Sequence, residues 1–554
     1  MNRCDRQRDL KPRASRLLRW LGAAGLAGAT LVNSGCVTTG LMDYVHNGFK
    51  VGPNYCKPPA PVAEEWIQAK DPRTQAPPPR DGNWWEVFQD PVLNSLVVRA
   101  YQQNPGLRSV GTRVLQARAV QAIAVGNVFP QSQQAVGLYS HGTFASNPAH
   151  IDFTGFNLTW ELDFWGKYRR QIESANAALD ASVENYDDAL VTLLADVATN
   201  YVEYRIAQQR IKIAQDNLRI QQKLVAVVEQ QQKVGTAAEI DMRQLRTLMK
   251  QTESSIPALR ITLGLANDRL CILLGEPPHD LEPELGPGPD LGSQPIPMTP
   301  QSVAAGIPAD LLRRRPDVRS AERLVAAQSP QIGAAEANLY PSVSIGTILG
   351  YLDVSQVSLP AITGPVAIAS PQVPNNGFLG LFNPQFSWNI LNYGRLANNV
   401  HLQEARTQEL IAAYQNRVLV AAREVQSALR GFLDSQEQAA ALSGSATDAA
   451  AAAKIGEDLF NQVKADANRL FILENTRLQT QDQLAVSQGN IALNLIEVYR
   501  ALGGGWELRT QLEPCGAVPH GNLPAACVDG RAPANMTPVP PAEQLPAPAV
   551  VQPK

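Results

Sequence analysis

The sequence predicts a mixed α and β membrane protein: a trimeric twelve-stranded transmembrane β-barrel, with four strands per chain, that continues into a long coiled-coil α-helical barrel. Three observations predict this fold. The segment WELDFWGKYRR at 160–170 alternates apolar and polar residues, as a strand with one apolar face does, and then becomes helical with no proline between. The same change recurs as WNILNYGR at 388–395. Apolar residues also recur every seven positions over long spans, which is typical of packed helices.

Residues 1–35 have the composition of an export signal. Seven Lys and Arg stand against two Asp, and the apolar run WLGAAGLAGATLV follows at 20–32. This run is too short to span a bilayer as a helix. It leads into NSGC, which resembles a bacterial lipobox whose cysteine, Cys36, becomes lipidated, although Asn33 departs from the usual pattern. The alternative is ordinary signal cleavage that leaves Cys36 as a free thiol. Val37, rather than Asp, after the cysteine favours the outer membrane.

Composition argues against several functional classes. The formal charge of the chain changes from −3 to about −8 when the +5 of residues 1–35 is removed, and no basic stripe suggests nucleic-acid binding. The six histidines form no HExxH motif, and CxxC, a phosphate-binding Gly loop and the GxSxG motif are missing from the sequence. We therefore expect no enzyme activity, cofactor or metal. Cys271 is expected to be a buried thiol, and Cys515 and Cys527 are able to close a small disulfide in an oxidising compartment.

Self-comparison shows one unit of about 200 residues used twice. NPGLR around Pro105 corresponds to RPDVR around Pro316, and FPQ at 129–131 corresponds to YPS at 340–342, both at an offset of 211. Further along, the offset is 228, as shown by Trp160 and Trp388, Gly166 and Gly394, and the Leu-Gly pairs at 274–275 and 502–503. The predicted domains are a signal at 1–35, an anchored extension at 36–83, repeats at 84–275 and 307–513, a Pro-rich linker at 276–306 and a disordered Ala/Pro-rich tail at 514–554.

Two long proline-free segments predict the long helices. The chain has 41 prolines, yet none occurs at 149–256 or 385–513, and an interior proline costs a helix about 3 kcal/mol. Interruptions at KVGTAAE (233–239) and KADANR (464–469) fold each long helix back onto a second one. The seven-residue repeat consists of Val183, Leu190, Val197, Tyr204, Ile211, Leu218 and Val225 in the first half and of Ile411, Val418, Val425, Phe432, Ala439, Ala446 and Ala453 in the second.

Four strands flank these helices, at 134–140, 156–164, 342–346 and 386–390. Large apolar residues on one face suit a barrel wall in contact with lipid, whereas a soluble, half-buried sheet is the alternative. The sequence has a lipobox but no run of about 18 apolar residues that would form a membrane-spanning helix. This combination favours strands in the membrane over a soluble sheet. The predicted lipid-facing wall consists of Phe156, Leu158, Trp160, Leu162, Phe386, Trp388 and Ile390.

Four strands cannot close a barrel, and open sheet edges are not tolerated in lipid. Two chains would supply eight strands, whose barrel is filled by side chains, and three would supply twelve, enough for a lumen. The strand count therefore favours a trimer over a dimer.

Longer motifs resemble a known family. WWEVFQDPVLNSLVVRAYQQNPGLR (84–108), IPADLLRRRPDVRSAE (307–322), YPS and VGPNY (51–55) resemble the TolC/NodT outer-membrane factor family, and especially its lipoprotein branch. The resemblance implies the exit duct of a tripartite efflux pump, which passively conducts small molecules. Its implied partners are two further copies of the chain, a periplasmic adaptor protein, an inner-membrane transporter of RND type and outer-membrane lipid. A duct for type I protein secretion and a lipid-anchored periplasmic coiled-coil scaffold are the alternatives.

The resemblance also implies a periplasmic gate lined by acidic residues. Glu474 in FILENT matches the acidic residue of the family's VLDAQ-like motif, and Asp466 lies at the same tip; the first half offers Glu239 and Asp241. A solvated carboxylate at a helix end is the alternative for each. Arg313, Arg314 and Arg315 are expected to pair with acidic helices rather than to bind substrate.

Overall fold

The computed structural model describes residues 40–75, 82–144, 147–235, 238–286, 296–355, 376–462 and 467–512. The chain divides into one unit that ends at Gly505 and a second that begins at Trp506. In the second unit the described element is a short helix, Glu507–Leu512. Cys36, Asp466, Cys515 and Cys527 lie outside the described residues.

The first half is built as follows: α1 Leu41–His46, β1 Thr74–Gln75, a 3-10 turn at Trp84–Phe88, α2 Pro91–Gln103, α3 Pro105–Gly126, β2 Ser132–Phe144, β3 Asn147–Leu162, α4 Lys167–Lys233 and α5 Glu239–Leu274. The second half contains α6 Glu282–Leu285, β4 Val303–Ala304, a 3-10 turn at Pro308–Asp310, α7 Leu311–Arg314, α8 Pro316–Ala337, β5 Ser342–Ser355, β6 Asn376–Ser387, α9 Arg395–Asn461 and α10 Ala467–Ala501. The order α3, β2, β3, α4, α5 thus recurs as α8, β5, β6, α9, α10.

The long helices have the predicted limits. α4 and α9 contain 67 residues each, which is about 100 Å of helix, and each packs along the helix that follows it. Proline was a less strict boundary than expected, because α5 continues through Pro257 and α8 through Pro330.

The seven-residue repeat predicted the buried seam. The predicted positions that are buried are Leu190, Val197, Tyr204 and Val225 in α4 and Val418, Val425, Phe432, Ala439, Ala446 and Ala453 in α9. Val183, Ile211, Leu218 and Ile411 are half-buried. A strict seven-residue spacing keeps such a seam on one side of a supercoiled helix pair.

The four long strands form one antiparallel sheet in the order β2-β3-β5-β6. Each strand is longer than predicted. The prediction for the last strand was also misplaced, because β6 begins at Asn376 and ends at Ser387, so that Trp388 and Ile390 follow it. Among the described residues, no helix combines the length and apolar character that a membrane-spanning helix requires.

Candidate functional site at the junction of sheet and helices

One face of the sheet is mainly apolar in the part near the helices, and the strand register identifies it. Phe156, Leu158, Trp160 and Leu162 of β3 lie opposite Leu349, Thr347, Ile345 and Val343 of β5. Since alternate residues of a strand share a face, these predicted wall residues lie together. In β6, Phe378, Phe382 and Phe386 lie opposite Tyr351, Thr347 and Val343 and extend the same face.

Phe378 and Phe382 were missed in the sequence because they follow a stretch rich in Gly, Pro and Asn. Together with Phe386 they recur every fourth residue, an even spacing that keeps side chains on one face of a strand. All three are 68% or more exposed in the single chain. The opposite face is mixed, since it carries Asn157, Thr159 and Gln385 but also Ile348, Leu352 and Leu381.

The sheet has two outer strands. Among the described strands, β2 pairs with β3 alone and β6 with β5 alone. Each therefore has a row of backbone N–H and C=O groups without a strand partner in the single chain. Pro384 lies in β6, and proline, which lacks an N–H, is tolerated on such an outer strand.

Trp160, near the end of β3, and Trp388, just after β6, fasten the strands to the turn that follows the preceding helix. The Trp160 indole N–H donates to the Val128 carbonyl at 2.9 Å, and the Trp388 indole N–H donates to the Leu339 carbonyl at 2.9 Å. These acceptors follow α3 and α8 and are themselves 211 residues apart. Trp388 therefore has the same contact as Trp160, although it lies beyond β6.

Glycine makes the direct passage from strand to helix feasible. Gly166 and Gly394 cap α4 and α9 with φ of 77° and 78°, a left-handed conformation that glycine adopts without strain. A side chain at Gly166 would also meet Lys50, whose Cα would lie 2.8 Å from the added Cβ. The strand therefore joins the helix through a tight, left-handed turn.

The segment 44–55 crosses this junction in the first half. The buried Arg170 guanidinium donates to the Val51 carbonyl at 3.0 Å and to the Gly52 carbonyl at 2.7 Å. Arg169 donates to the carbonyls of Gly48 and Phe49 at 2.9 and 2.8 Å. The two arginines of the YRR sequence thus hold the segment that leads from Cys36, a role that sequence analysis did not assign.

The LRRRPD motif forms a buried charge network at its third arginine. Arg315 donates to both carboxylate oxygens of Asp317 at 2.9 and 2.7 Å, to Glu424 at 2.7 Å and to the Ala501 carbonyl at 2.8 Å. Burial favours the neutral acid at Asp317, but the hydrogen bonds and charge of Arg315 outweigh it and lower the pKa of that carboxyl. The expected pairing with acidic helices is confirmed for Arg315.

Glu474 lies in an unexpected place. Its side chain is fully buried, with one carboxylate oxygen 2.6 Å from the Arg477 guanidinium. Arg477 in turn donates to Asn217 of α4 at 3.0 Å, so this face of α10 packs against the first half. Burial raises the pKa of Glu474. The expectation of a carboxylate exposed to a lumen or to solvent is therefore corrected for the single chain, because contacts far apart in sequence enclose it.

The first-half gate candidates lie at the start of α5. Glu239 is exposed and pairs with Arg243 at 2.8 Å. The Asp241 carboxylate accepts a hydrogen bond from the Ala238 backbone N–H at 3.3 Å. Both therefore stabilise a helix N-terminus, and their role in a gate stays a prediction, as does that of Asp466. Among the described cysteines, Cys271 is a buried free thiol and Cys56 is disulfide-bonded.

Comparison with known proteins identifies the family. The family model for outer membrane efflux proteins matches two segments of the chain, 96–276 and 307–504, which correspond to the two halves described above. The chain belongs to this family. Nodulation protein T of Rhizobium leguminosarum bv. viciae is 30% identical to this chain over 380 residues, covering 68% of this chain and 74% of the relative.

Two further likenesses extend over most of the chain. The pyoverdine export outer membrane protein OpmQ of Pseudomonas putida is 29% identical over 457 residues, covering 80% of this chain and 92% of the relative. The solved structure of the outer-membrane channel OprN superimposes with a TM-score of 0.72 and 28% identity, covering 82% of this chain and 99% of that chain. The sheet and the paired long helices of this chain therefore have the fold of a solved outer-membrane channel.

Proposed function

We propose that three copies of this chain form an outer-membrane exit duct that passively conducts small molecules. The observation that carries the proposal is a four-stranded sheet with one aromatic, apolar face and two outer strands, which joins directly to helices of about 100 Å. Lipid does not satisfy the backbone groups of an outer strand, so the sheets of several copies must join. Three sheets give twelve strands, enough to enclose a lumen.

The two halves support a tunnel of repeated units. Each half supplies one strand pair and one helical hairpin in the same order, and the family model matches a segment in each. Three copies would place six such units around one axis, with the helices continuing the barrel into the periplasm. The duplicated unit thus supplies similar wall elements throughout the ring.

The anchor and partners complete the proposal. Cys36 is proposed to be lipidated, and the contacts of Arg169 and Arg170 hold the segment after it against the junction. An inner-membrane transporter of RND type and a periplasmic adaptor are proposed as partners, since a passive duct needs an energy source. The name of the relative OpmQ, a pyoverdine export protein, supports small-molecule cargo. Glu239 and Asp241 are proposed to lie near the narrow end of the tunnel.

The test combines assembly with conduction. The full chain is extracted from outer membranes, its stoichiometry is measured by native mass spectrometry, and it is inserted into planar lipid bilayers. We expect a mass of three chains, an acylated Cys36 and discrete conductance steps, with no acylation in Cys36→Ser. A stoichiometry that cannot supply twelve strands, or an absence of conductance from correctly assembled protein, would refute the duct.

A further inference from the structure

The short helix α1 has an apolar side that the single chain leaves uncovered. Met42 and Val45 are three positions apart, which places them on one side of the helix, and they are 71% and 50% exposed. Phe49, which follows the helix, is 55% exposed. Asp43 is also exposed and lies on nearly the opposite side from Val45. This segment therefore has an apolar side and a polar side.

Tyr44 attaches α1 to the chain just after β3. Its hydroxyl donates to the Phe164 carbonyl at 2.8 Å, and its ring centroid lies 5.5 Å from that of Trp165. Phe164 is 51% exposed. It follows Leu162, where the predicted wall ends in β3, by two residues, and two residues span at most about 7 Å. The helix α1 is therefore held just beyond the end of the apolar wall.

The turn after α1 holds Phe49 in a defined place. The Phe49 backbone N–H donates to the Tyr44 carbonyl at 2.9 Å, and the Gly48 N–H donates to the Val45 carbonyl at 3.1 Å, which together form a Schellman motif. The Phe49 ring packs edge-on against Tyr44, with centroids 5.5 Å apart. Its φ is 60°, a left-handed conformation that costs free energy in any residue but glycine. Arg169 stabilises this turn by binding the Gly48 and Phe49 carbonyls, so the exposed ring is held by a well-bonded turn.

The proposed acyl anchor is close to the start of α1. Four residues lead from Cys36 to Gly40, where the described chain begins, and four residues span at most about 14 Å. An acyl group on Cys36 would hold that residue at the bilayer surface, so α1 would begin near the same surface. The anchor before α1 and the apolar wall next to it therefore both favour lipid as the partner of the exposed side chains.

We propose that Met42, Val45 and Phe49 contact phospholipid at the periplasmic surface of the outer membrane. Asp43 then faces water, and the apolar side chains enter the boundary between headgroups and acyl chains, as those of interfacial helices do. The segment after Cys36 is thus a second, noncovalent anchor, which fixes the height of the junction between sheet and helices relative to the bilayer. The proposal rests on the lipid-facing sheet of the proposed duct.

Site-specific photocrosslinking tests this contact. A benzophenone amino acid replaces Val45 in the full chain, the protein is irradiated in outer membranes, and adducts are identified by mass spectrometry. The yield of phospholipid adducts should be at least about fivefold higher than from the matched control with the probe at Asp43, because only one side of an interfacial helix enters lipid. A third chain carries the probe at Phe156 in the wall. If that chain binds lipid, then equal yields from Val45 and Asp43, or Val45 adducts with protein alone, would overturn the second anchor and leave the duct intact. An absence of lipid adducts from Phe156 would refute the lipid-facing wall of the duct as well.

Two variants of the chain with the Val45 probe separate this contact from the acyl anchor. In Cys36→Ser the yield of lipid adducts should stay within about twofold, because apolar side chains bind the interface without an acyl group. Loss of the adducts in Cys36→Ser would overturn the noncovalent anchor. Phe49→Asn keeps the turn, since Asn tolerates the left-handed conformation, but it removes the ring, so the yield should fall about twofold or more. Asp43→Asn is the control and should change nothing. An unchanged yield in Phe49→Asn would refute the proposed contact of Phe49 with lipid.

Discussion

The two halves of the chain fasten the end of each helical hairpin to the start of a shorter helix, and they do so with different side chains. In the first half the Asn104 amide donates to the Leu273 carbonyl at 2.8 Å. In the second half the Arg315 guanidinium donates to the Ala501 carbonyl at 2.8 Å. The donors are 211 residues apart and the acceptors 228 residues apart, which are the two offsets of the internal comparison.

The difference lies in what each donor brings with it. Asn104 is neutral, and its side-chain oxygen also caps α3 by accepting from the Leu107 backbone N–H at 2.8 Å. Arg315 is charged and nearly buried, and it is balanced by Asp317 and Glu424. The geometry of the unit therefore requires a donor for one carbonyl, while the chemistry of that donor is free to vary. Because Arg315 is charged, the stability of its contact depends more strongly on its partners than that of Asn104 does.

The largest expected effect on stability comes from removing Arg315 from its charged contact with Asp317 and Glu424. Arg315→Ala leaves the Ala501 carbonyl without its side-chain donor and the Asp317 carboxylate with Arg417, at 2.7 Å, as its remaining ion pair, which should cost up to about 3–5 kcal/mol in the free energy of unfolding. Asn104→Ala removes a helix cap and one neutral donor and should cost about 1–2 kcal/mol. Denaturant titration in detergent, followed by far-UV circular dichroism, measures both.

A double variant replaces the charged contact of Arg315 by the neutral chemistry of its counterpart Asn104. Arg315→Asn with Asp317→Gly produces the sequence NPG, which the first half carries at 104–106. Removing both charges should restore much of the stability that Arg315→Ala loses, because no carboxylate stays buried at position 317. Equal losses in the single and double variants would show that the buried charge is not what makes Arg315 costly to remove.

The second prediction asks whether both halves present the same face to lipid. Phe156→Arg in β3 and Phe382→Arg in β6 should each cost about 2–4 kcal/mol if they lie near the bilayer midplane. Their neighbours Asn157 and Asn383 lie on the opposite face of the same strands, so Asn157→Arg and Asn383→Arg serve as matched controls with little effect. Folded protein recovered from outer membranes measures the outcome. A loss confined to one half would mean that the sheet is not evenly exposed to lipid.

Local periodicity explains which features could be predicted from the sequence. The limits of α4 and the seam through Leu190 and Val425 follow from residues a few positions apart, so spacing alone indicated them. Arg170 and Arg477, the ion-pair partner of Glu474, contact segments more than 100 residues away, and no local pattern encodes such contacts. β6 lay between these cases, since its phenylalanines have a regular spacing but its start adjoins text rich in Gly, Pro and Asn.

The third prediction concerns the two glycines beside these junctions. Gly275 and Gly503 have φ of 79° and 74°, and an added Cβ would lie 2.7 Å from the Gln103 carbonyl oxygen and 2.9 Å from the Arg315 Cα. Alanine at either position should cost at least about 1–2 kcal/mol from the backbone conformation alone. Gly264→Ala is the control, because that glycine lies within α5 with open space around it, and it should stabilise the helix by about 0.5–1 kcal/mol. A loss of stability from only one of these two alanine substitutions would show that the turns after α5 and α10 are not equivalent.

The smallest effect is expected from pH, because lowering the pH removes a charge but no atoms. The folded chain lowers the pKa of Asp317 through Arg315, despite the opposing effect of burial. An unfolded Asp has a pKa of about 3.9, so the pair contributes its full stability above about pH 4 and loses it as the pH falls through the lower, folded pKa.

Asn104 does not titrate. Amide hydrogen exchange, corrected for intrinsic rates, should therefore increase in acid near residues 502–503 more than near 274–275. The difference should disappear in the variant with Arg315→Asn and Asp317→Gly. Equal increases of amide exchange near 274–275 and near 502–503 in the wild type would mean that acid acts elsewhere in the helices. The charge of Asp317 would then not distinguish the two halves.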